Sequence, residues 1–153
     1  MRIGVISDTH GLLRPEAVAA LRGTDHILHA GDIGNIEILD ALRALAPVTA
    51  IRGNIDNYGP CAELPPIEFI DLAGHSLYML HNLADLDLDP SAAGISAVIS
   101  GHSHKPNIEY RKGVLYFNPG SAGPRRFSLP ISLGLLETGG KTITPKLIQL
   151  SVQ

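Results

Sequence analysis

Ile3-Gly4-Val5-Ile6-Ser7-Asp8-Thr9-His10, read together with the residues that follow it to Gly34, decides the fold. Residues 3–7 form a short apolar run rich in β-branched side chains, the signature of a buried strand. The run breaks at Asp8 into a polar turn containing Gly11. Residues 14–22 read as a helix, with Pro15 in the first turn and Gly23 closing it. His26–His29 is a second strand, followed by the loop Ala30-Gly31-Asp32-Ile33-Gly34. Asn35 is placed to cap a helix over residues 36–45, where Ile36, Leu39, Leu42 and Leu45 share one face. Residues 48–52 are a third strand, ended by Gly53-Asn54. Strand and helix therefore alternate, the pattern of parallel βαβ units.

The second half changes character. Ile67–Leu72, residues 75–81, residues 97–100, Asn107–Arg111, Val114–Asn118, residues 131–137 and Thr142–Gln149 all read as strands. Ala73-Gly74, Lys112-Gly113 and Gly139-Gly140 are hairpin-turn signals. Residues 90–94 read as a short helix, and 61–66 and 120–130 as Pro- and Gly-containing loops. No repeat or low-complexity linker divides the chain, so one domain over residues 1–153 is expected. The class is α/β, a sandwich of two mixed sheets flanked by helices.

Composition narrows the function. Of 153 residues, 44% are hydrophobic and 5% aromatic, so the core is mostly aliphatic. The net charge is -3, and the longest basic run is the pair Arg125-Arg126. General nucleic-acid binding, which needs many phosphate-neutralising side chains, is not expected. Cys61 is the only cysteine, which excludes an intrachain disulfide and a thiolate-rich zinc site. The N-terminal apolar run meets charge at Asp8, too early for a signal peptide, and no stretch reaches the ~18 apolar residues of a membrane span. A cytoplasmic protein without membrane contact is the expectation.

Five polar clusters each follow a strand: Asp8-Thr9-His10, Gly31-Asp32, Gly53-Asn54, His81 and Gly101-His102-Ser103-His104. Strand carboxyl ends converge at one edge of an α/β sheet, where ligand sites are built. Together the clusters supply two carboxylates, one amide oxygen and four imidazoles. That mixture suits manganese, iron or zinc, whereas an all-oxygen set would suit magnesium or calcium. In an extended segment residues i and i+2 point the same way, so Asp8 and His10 can approach one cation. His102 and His104 can serve one cation each, and Asp32, with two oxygens, can bridge. Each cluster alone is commonplace: Gly-Asp is usually a turn, and a single histidine is usually structural. Their order, each at a strand end, carries the signal.

On these residues, with Asn118-Pro119-Gly120-Ser121, the chain resembles the calcineurin-like metallophosphoesterase superfamily, in its small single-domain prokaryotic branch of phosphodiesterases. The resemblance runs over nearly the whole chain. It implies a four-layer αββα sandwich and a dinuclear centre. By matching residue, Asp8, His10, Asp32 and His104 would hold the first metal, and Asp32, Asn54, His81 and His102 the second. Manganese is the favoured pair of ions, with iron, zinc, nickel or magnesium as alternatives. Asp8, Asp32, Asn54 and His102 carry the catalytic assignment. Two cations about 3.5–4 Å apart would share a water and supply hydroxide for in-line attack on a phosphate ester.

Two positions depart from the family. A histidine often follows the motif asparagine; here Ile55 does, with Asp56 one residue on. The fourth-motif histidine is often followed by Gly-His; here Asn82 and Leu83 follow His81. Asp56, Asn118, Arg125 and Arg126 are assigned behind the metals or toward substrate, with loop-tying and solvated alternatives kept for each. His26, His29 and Cys61 are read as structural, with a role behind Asp32 as the alternative for His29. His75 is read as a solvated turn residue. The expected partner is a small phosphate ester, and self-association is left open. The other functional class is a non-catalytic interaction scaffold of the same fold, as in the retromer subunit.

Overall fold

The computed structural model describes residues 1–152. The first half runs β1 (Arg2–Ile6), α1 (Pro15–Leu21), β2 (His26–His29), α2 (Ile36–Arg43) and β3 (Val48–Ala50). The second half runs β4 (Ile67–Leu72), β5 (His75–Leu80), β6 (Ala97–Ile99), β7 (Asn107–Arg111), β8 (Val114–Asn118), β9 (Ser132–Gly139) and β10 (Thr142–Gln149). One sheet has the order β10-β9-β1-β2-β3 and the other β4-β5-β6-β8-β7. Within the first, β1, β2 and β3 are parallel, while β9 is antiparallel to β1. Within the second, β5, β6 and β8 are parallel and the two edges antiparallel.

Strand alternation sorts the side chains into layers. Ile3 and Val5 enter the core between the sheets, with Leu28, Leu77, Met79, Ile99 and Phe117. Ile6 and Ile27 face the other way, toward Leu21 of α1 and Leu39 and Leu42 of α2. Asn35 caps α2 by accepting the Glu37 N–H at 2.9 Å. That helix stops at Arg43, earlier than the apolar pattern suggests. Leu45 N–H reaches back only to Leu42 O, and Pro47 follows, which restrains the residue before it.

The α/β sandwich of two mixed sheets agrees with expectation, but its far flank is thin. Tyr78, Leu80, Val98 and Tyr116 are covered by Leu83, Leu86, Leu88 and Ile95 rather than by an α-helix. A single 3-10 turn, Leu83–Asp85, lies in this stretch. Residues 90–94 form turns, not the expected short helix. Asp89 Oδ1 caps the turn by accepting the Ser91 and Ala92 N–H groups, but Gly94, at φ 75°, ends it after five residues, too few to propagate a helix. His75 also departs from expectation. It is buried, and its Nε2–H donates to Gly140 O at 2.9 Å, latching the β4–β5 turn to the β9–β10 turn of the other sheet.

Candidate metal centre

All five polar clusters meet at one end of the sandwich. Asp8, Asp32 and Asn54 leave the ends of β1, β2 and β3, and His81, His102 and His104 follow β5 and β6. Two groups of donor atoms form, each within 4.8 Å: Asp8, His10 and His104, and Asp32, His81 and His102. Asp32 Oδ2 lies 3.4 Å from His10 Nε2 and 3.2 Å from His81 Nε2, so one oxygen faces both groups. Asp8 Oδ1 lies 3.4 Å from His104 Nε2 and 3.6 Å from His10 Nε2. Asn54 Oδ1 sits 3.2 Å from His102 Nδ1, at the exposed rim.

The remaining lone pairs are fixed by the protein. Asp8 Oδ2 accepts from Ser7 Oγ at 2.7 Å and from His102 N at 3.1 Å. Asp32 Oδ1 accepts the Ile55 N–H at 3.0 Å. His81 Nδ1–H donates to Ala30 O at 2.7 Å, which leaves Nε2 turned to the carboxylates, as an outer hydrogen bond does for a metal-binding imidazole. Asp8 Oδ1, His10 Nε2, His81 Nε2 and His104 Nδ1 are buried without a hydrogen-bond partner. An unpaired buried polar group costs about 1–3 kcal/mol. Four of them in one cluster of carboxylates and imidazoles fit a site for divalent cations.

The backbone explains how the loops converge. Asp8, His10, Asp32, His102 and His104 all have φ between 46° and 70°. That left-handed region costs an L-residue on the order of 1 kcal/mol, and Asp and His tolerate it better than most. Asp8 and His10 therefore meet through tight coiling, not through the extended i, i+2 geometry expected from sequence. Two glycines permit the approach. A Cβ at Gly53 would fall onto Asp32 Oδ1, and one at Gly101 would lie 2.6 Å from Asp8 Oδ2.

The electrostatics favour positive charge. Burial pushes the Asp8 carboxyl up, but His10, His104, Ser7 and His81 together hold it well below the carboxylate range. Asp32 follows the same balance: burial raises it, while His81 and the Ile55 N–H lower it further. Burial pushes His81 down, and Asp32, the Ala30 carbonyl and Asp8 hold it above its ordinary value. Behind the site, burial pushes His29 down to about 4. It is then neutral: Nδ1 accepts from Gly31 N, Nε2–H donates to Thr9 Oγ1, and Thr9 donates to Ile33 O. These bonds join the loops that carry Asp8 and Asp32.

The other candidates divide. Asp56 is buried, and its carboxylate accepts the N–H groups of Ile33, Gly34 and Gly53. Asn118 donates to Gly101 O and Ser103 Oγ and accepts from Gly120 N, pinning the His102 loop. Arg125 and Arg126 are exposed and line a small cavity of about 190 Å³ with His10 and His104. Cys61 is buried with its thiol pushed up by burial, the opposite of an activated nucleophile. Sequence reasoning missed Ser7 and Thr9, because a hydroxyl beside an aspartate carries no signal until its partner is placed.

Residues 1–141 match the family model of the calcineurin-like phosphoesterase superfamily domain, and the chain belongs to that superfamily. It is 35% identical over 165 aligned positions to a probable metallophosphoesterase of Methanothermobacter thermautotrophicus, across 97% of this chain and 92% of that one. Among solved structures, Vps29 of Chaetomium thermophilum superposes with a TM-score of 0.83 at 18% identity, covering 98% of this chain and 89% of that one. A structure described as a novel archaeal phosphodiesterase superposes with a TM-score of 0.79 at 22% identity, covering 97% and 100%. At such identities the two likenesses show the fold alone. Among the described residues, no helix is long and apolar enough to cross a membrane.

Proposed function

We propose that the chain is a metal-dependent phosphoesterase that acts best on phosphodiesters. Asp8, His10 and His104 would hold one divalent cation, and Asn54, His81 and His102 a second, with Asp32 shared. The observation that carries the reading is Asp32 Oδ2, within 3.4 Å of imidazole nitrogens from both groups. Such a pair of cations, when bound, lowers the pKa of a shared water and neutralises phosphate oxygens. Manganese suits the mixed carboxylate and imidazole set.

The chain's own residues do the positioning. Ser7 and the His102 N–H orient Asp8, Ile55 N–H orients Asp32, and Ala30 O orients His81. Arg125 and Arg126, beside His10, are placed to meet a phosphate oxygen, which a planar guanidinium recognises well. Ile55 has no proton to give a leaving group, and the Asp56 carboxylate is taken up by three backbone donors. Esters whose leaving oxygen needs no protonation are therefore the preferred substrates.

Purified protein loaded with manganese, given bis(4-nitrophenyl) phosphate, tests the reading. Turnover that chelation abolishes and manganese restores is expected, and its absence at every metal tried overturns the proposal. The second reading, an interaction scaffold, draws on the Vps29 likeness. It gives no reason for four orphaned donor atoms in one buried cluster.

A further inference from the structure

A cleft of about 350 Å³ opens beside the second donor group. It shares His81 and His102 with that group, and Asn54 lies beside them, so the cleft adjoins the place where a phosphate would sit. Pro66, Ile67 and Leu80 form an apolar wall. Asn82 lines the cleft as well, and its orientation is fixed. Asn82 Oδ1 accepts the Ala84 N–H at 3.1 Å, so Nδ2 must be the atom left over. Among the described residues that NH2 has no partner. Asp85 stands at the exposed edge.

From this lining we infer that the cleft seats one organic arm of the diester, an arm with a flat apolar face and a hydrogen-bond acceptor. The inference rests on the phosphodiesterase reading and narrows its substrate class. The volume is at the small end of ligand pockets, room for one ring system. Ile67 and Leu80 provide the apolar contact, and Asn82 Nδ2 donates to the acceptor. Arg52 and Asp85, both exposed, border the cleft with opposite charges, so the selection lies in the apolar wall and the Asn82 donor.

The test compares phenyl 4-nitrophenyl phosphate with methyl 4-nitrophenyl phosphate on the manganese-loaded protein. The phenyl ester should have a KM about tenfold lower, the scale of partly burying one ring. Ile67→Glu puts charge on the wall at a position already 40% exposed, so folding should survive. Asn82→Asp keeps an oxygen for the Ala84 N–H but replaces the donor by an acceptor. Ile67→Glu should bring the phenyl-to-methyl KM ratio near one, and Asn82→Asp should remove the further KM gain of an aryl arm that carries a carbonyl acceptor. Phe69→Ser, on the same strand outside the cleft, should keep the ratio. A wild-type ratio near one, a ratio that survives Ile67→Glu, or an acceptor gain that survives Asn82→Asp overturns the inference. If neither ester is hydrolysed, the phosphodiesterase reading falls, and amide shifts of magnesium-loaded protein titrated with diphenyl phosphate decide the cleft alone. Shifts at Ile67, Asn82 and Asp85 that dimethyl phosphate does not cause support it, and their absence overturns it.

Discussion

Asp8 Oδ2 accepts the backbone N–H of His102 at 3.1 Å, a bond between the loop after β1 in one sheet and the loop after β6 in the other. The two residues belong to different donor groups. One hydrogen bond thus sets the position of each group relative to its neighbour, and Gly101 admits it by having no Cβ to strike Asp8.

Manganese analysis should approach two ions per chain. Loading should also raise the melting temperature. A ligand at a hundred times its Kd adds about 2.7 kcal/mol, or roughly 5–10 °C for a chain of this size. Asp32→Asn should lose turnover and at least one ion while keeping the wild-type circular dichroism. A melting temperature indifferent to manganese and chelator would contradict the assignment.

Ser7→Ala deletes the buried bond to Asp8 Oδ2 and leaves the His102 N–H in place. Manganese affinity should fall roughly 10–100-fold, the usual cost of losing a group behind a ligand. Stability of the metal-free chain should fall by only about 1–2 kcal/mol. Titration followed by activity, with urea melts alongside, separates the two effects.

His29 predicts a pH dependence of the metal-free chain. Its folded value is held down at about 4, below the ordinary 6.5 of an exposed imidazole. The unfolded chain therefore binds a proton first as pH falls. The stability from neutral His29 is complete above pH 6.5 and is lost as pH falls toward 4, on the order of 3 kcal/mol in all. Urea midpoints between pH 7 and 4.5 should drop more steeply for wild type than for His29→Gln. Parallel slopes would show that another group controls this window.

A leaving-group series on one diester scaffold should show turnover falling steeply as the leaving-group pKa rises. Asp56→Asn should leave that slope unchanged, because the carboxylate acts on Ile33, Gly34 and Gly53. Its cost should appear in stability, about 1–3 kcal/mol, as an NH2 now faces a backbone donor. A flat series that steepens in Asp56→Asn would make Asp56 the acid after all.

Much of this was legible in the sequence. β2, β4, β7, β8 and β10 fall where apolar alternation and turn residues put them, because both are local signals. That the donor side chains would converge was legible because each follows a strand. Their backbone was not. Nothing in Asp-Thr-His distinguishes an extended exit from a left-handed one, since the choice is made by contacts with Gly31, Asp32 and Ser121 far along the chain. His75 looked solvated because its partner Gly140 lies in the other sheet. The helix expected at residues 90–94 starts with a cap, Asp89 Oδ1 accepting the Ser91 and Ala92 N–H groups, but stops after one turn where Gly94 takes a left-handed φ of 75°.

Each donor group draws on both sheets, Asp8 and His10 against His104, and Asp32 against His81 and His102. A cation held by either group is therefore also a cross-link. It joins segments that the chain connects only through long detours, and such closures restrict the unfolded ensemble most. Sliding of one sheet over the other would break it. Loading should thus slow amide hydrogen exchange in the strands between the sheets, Val5 and Met79 included, and not only in the loops that touch metal. The chemistry at one end of the sandwich would then also set how freely its two halves shear.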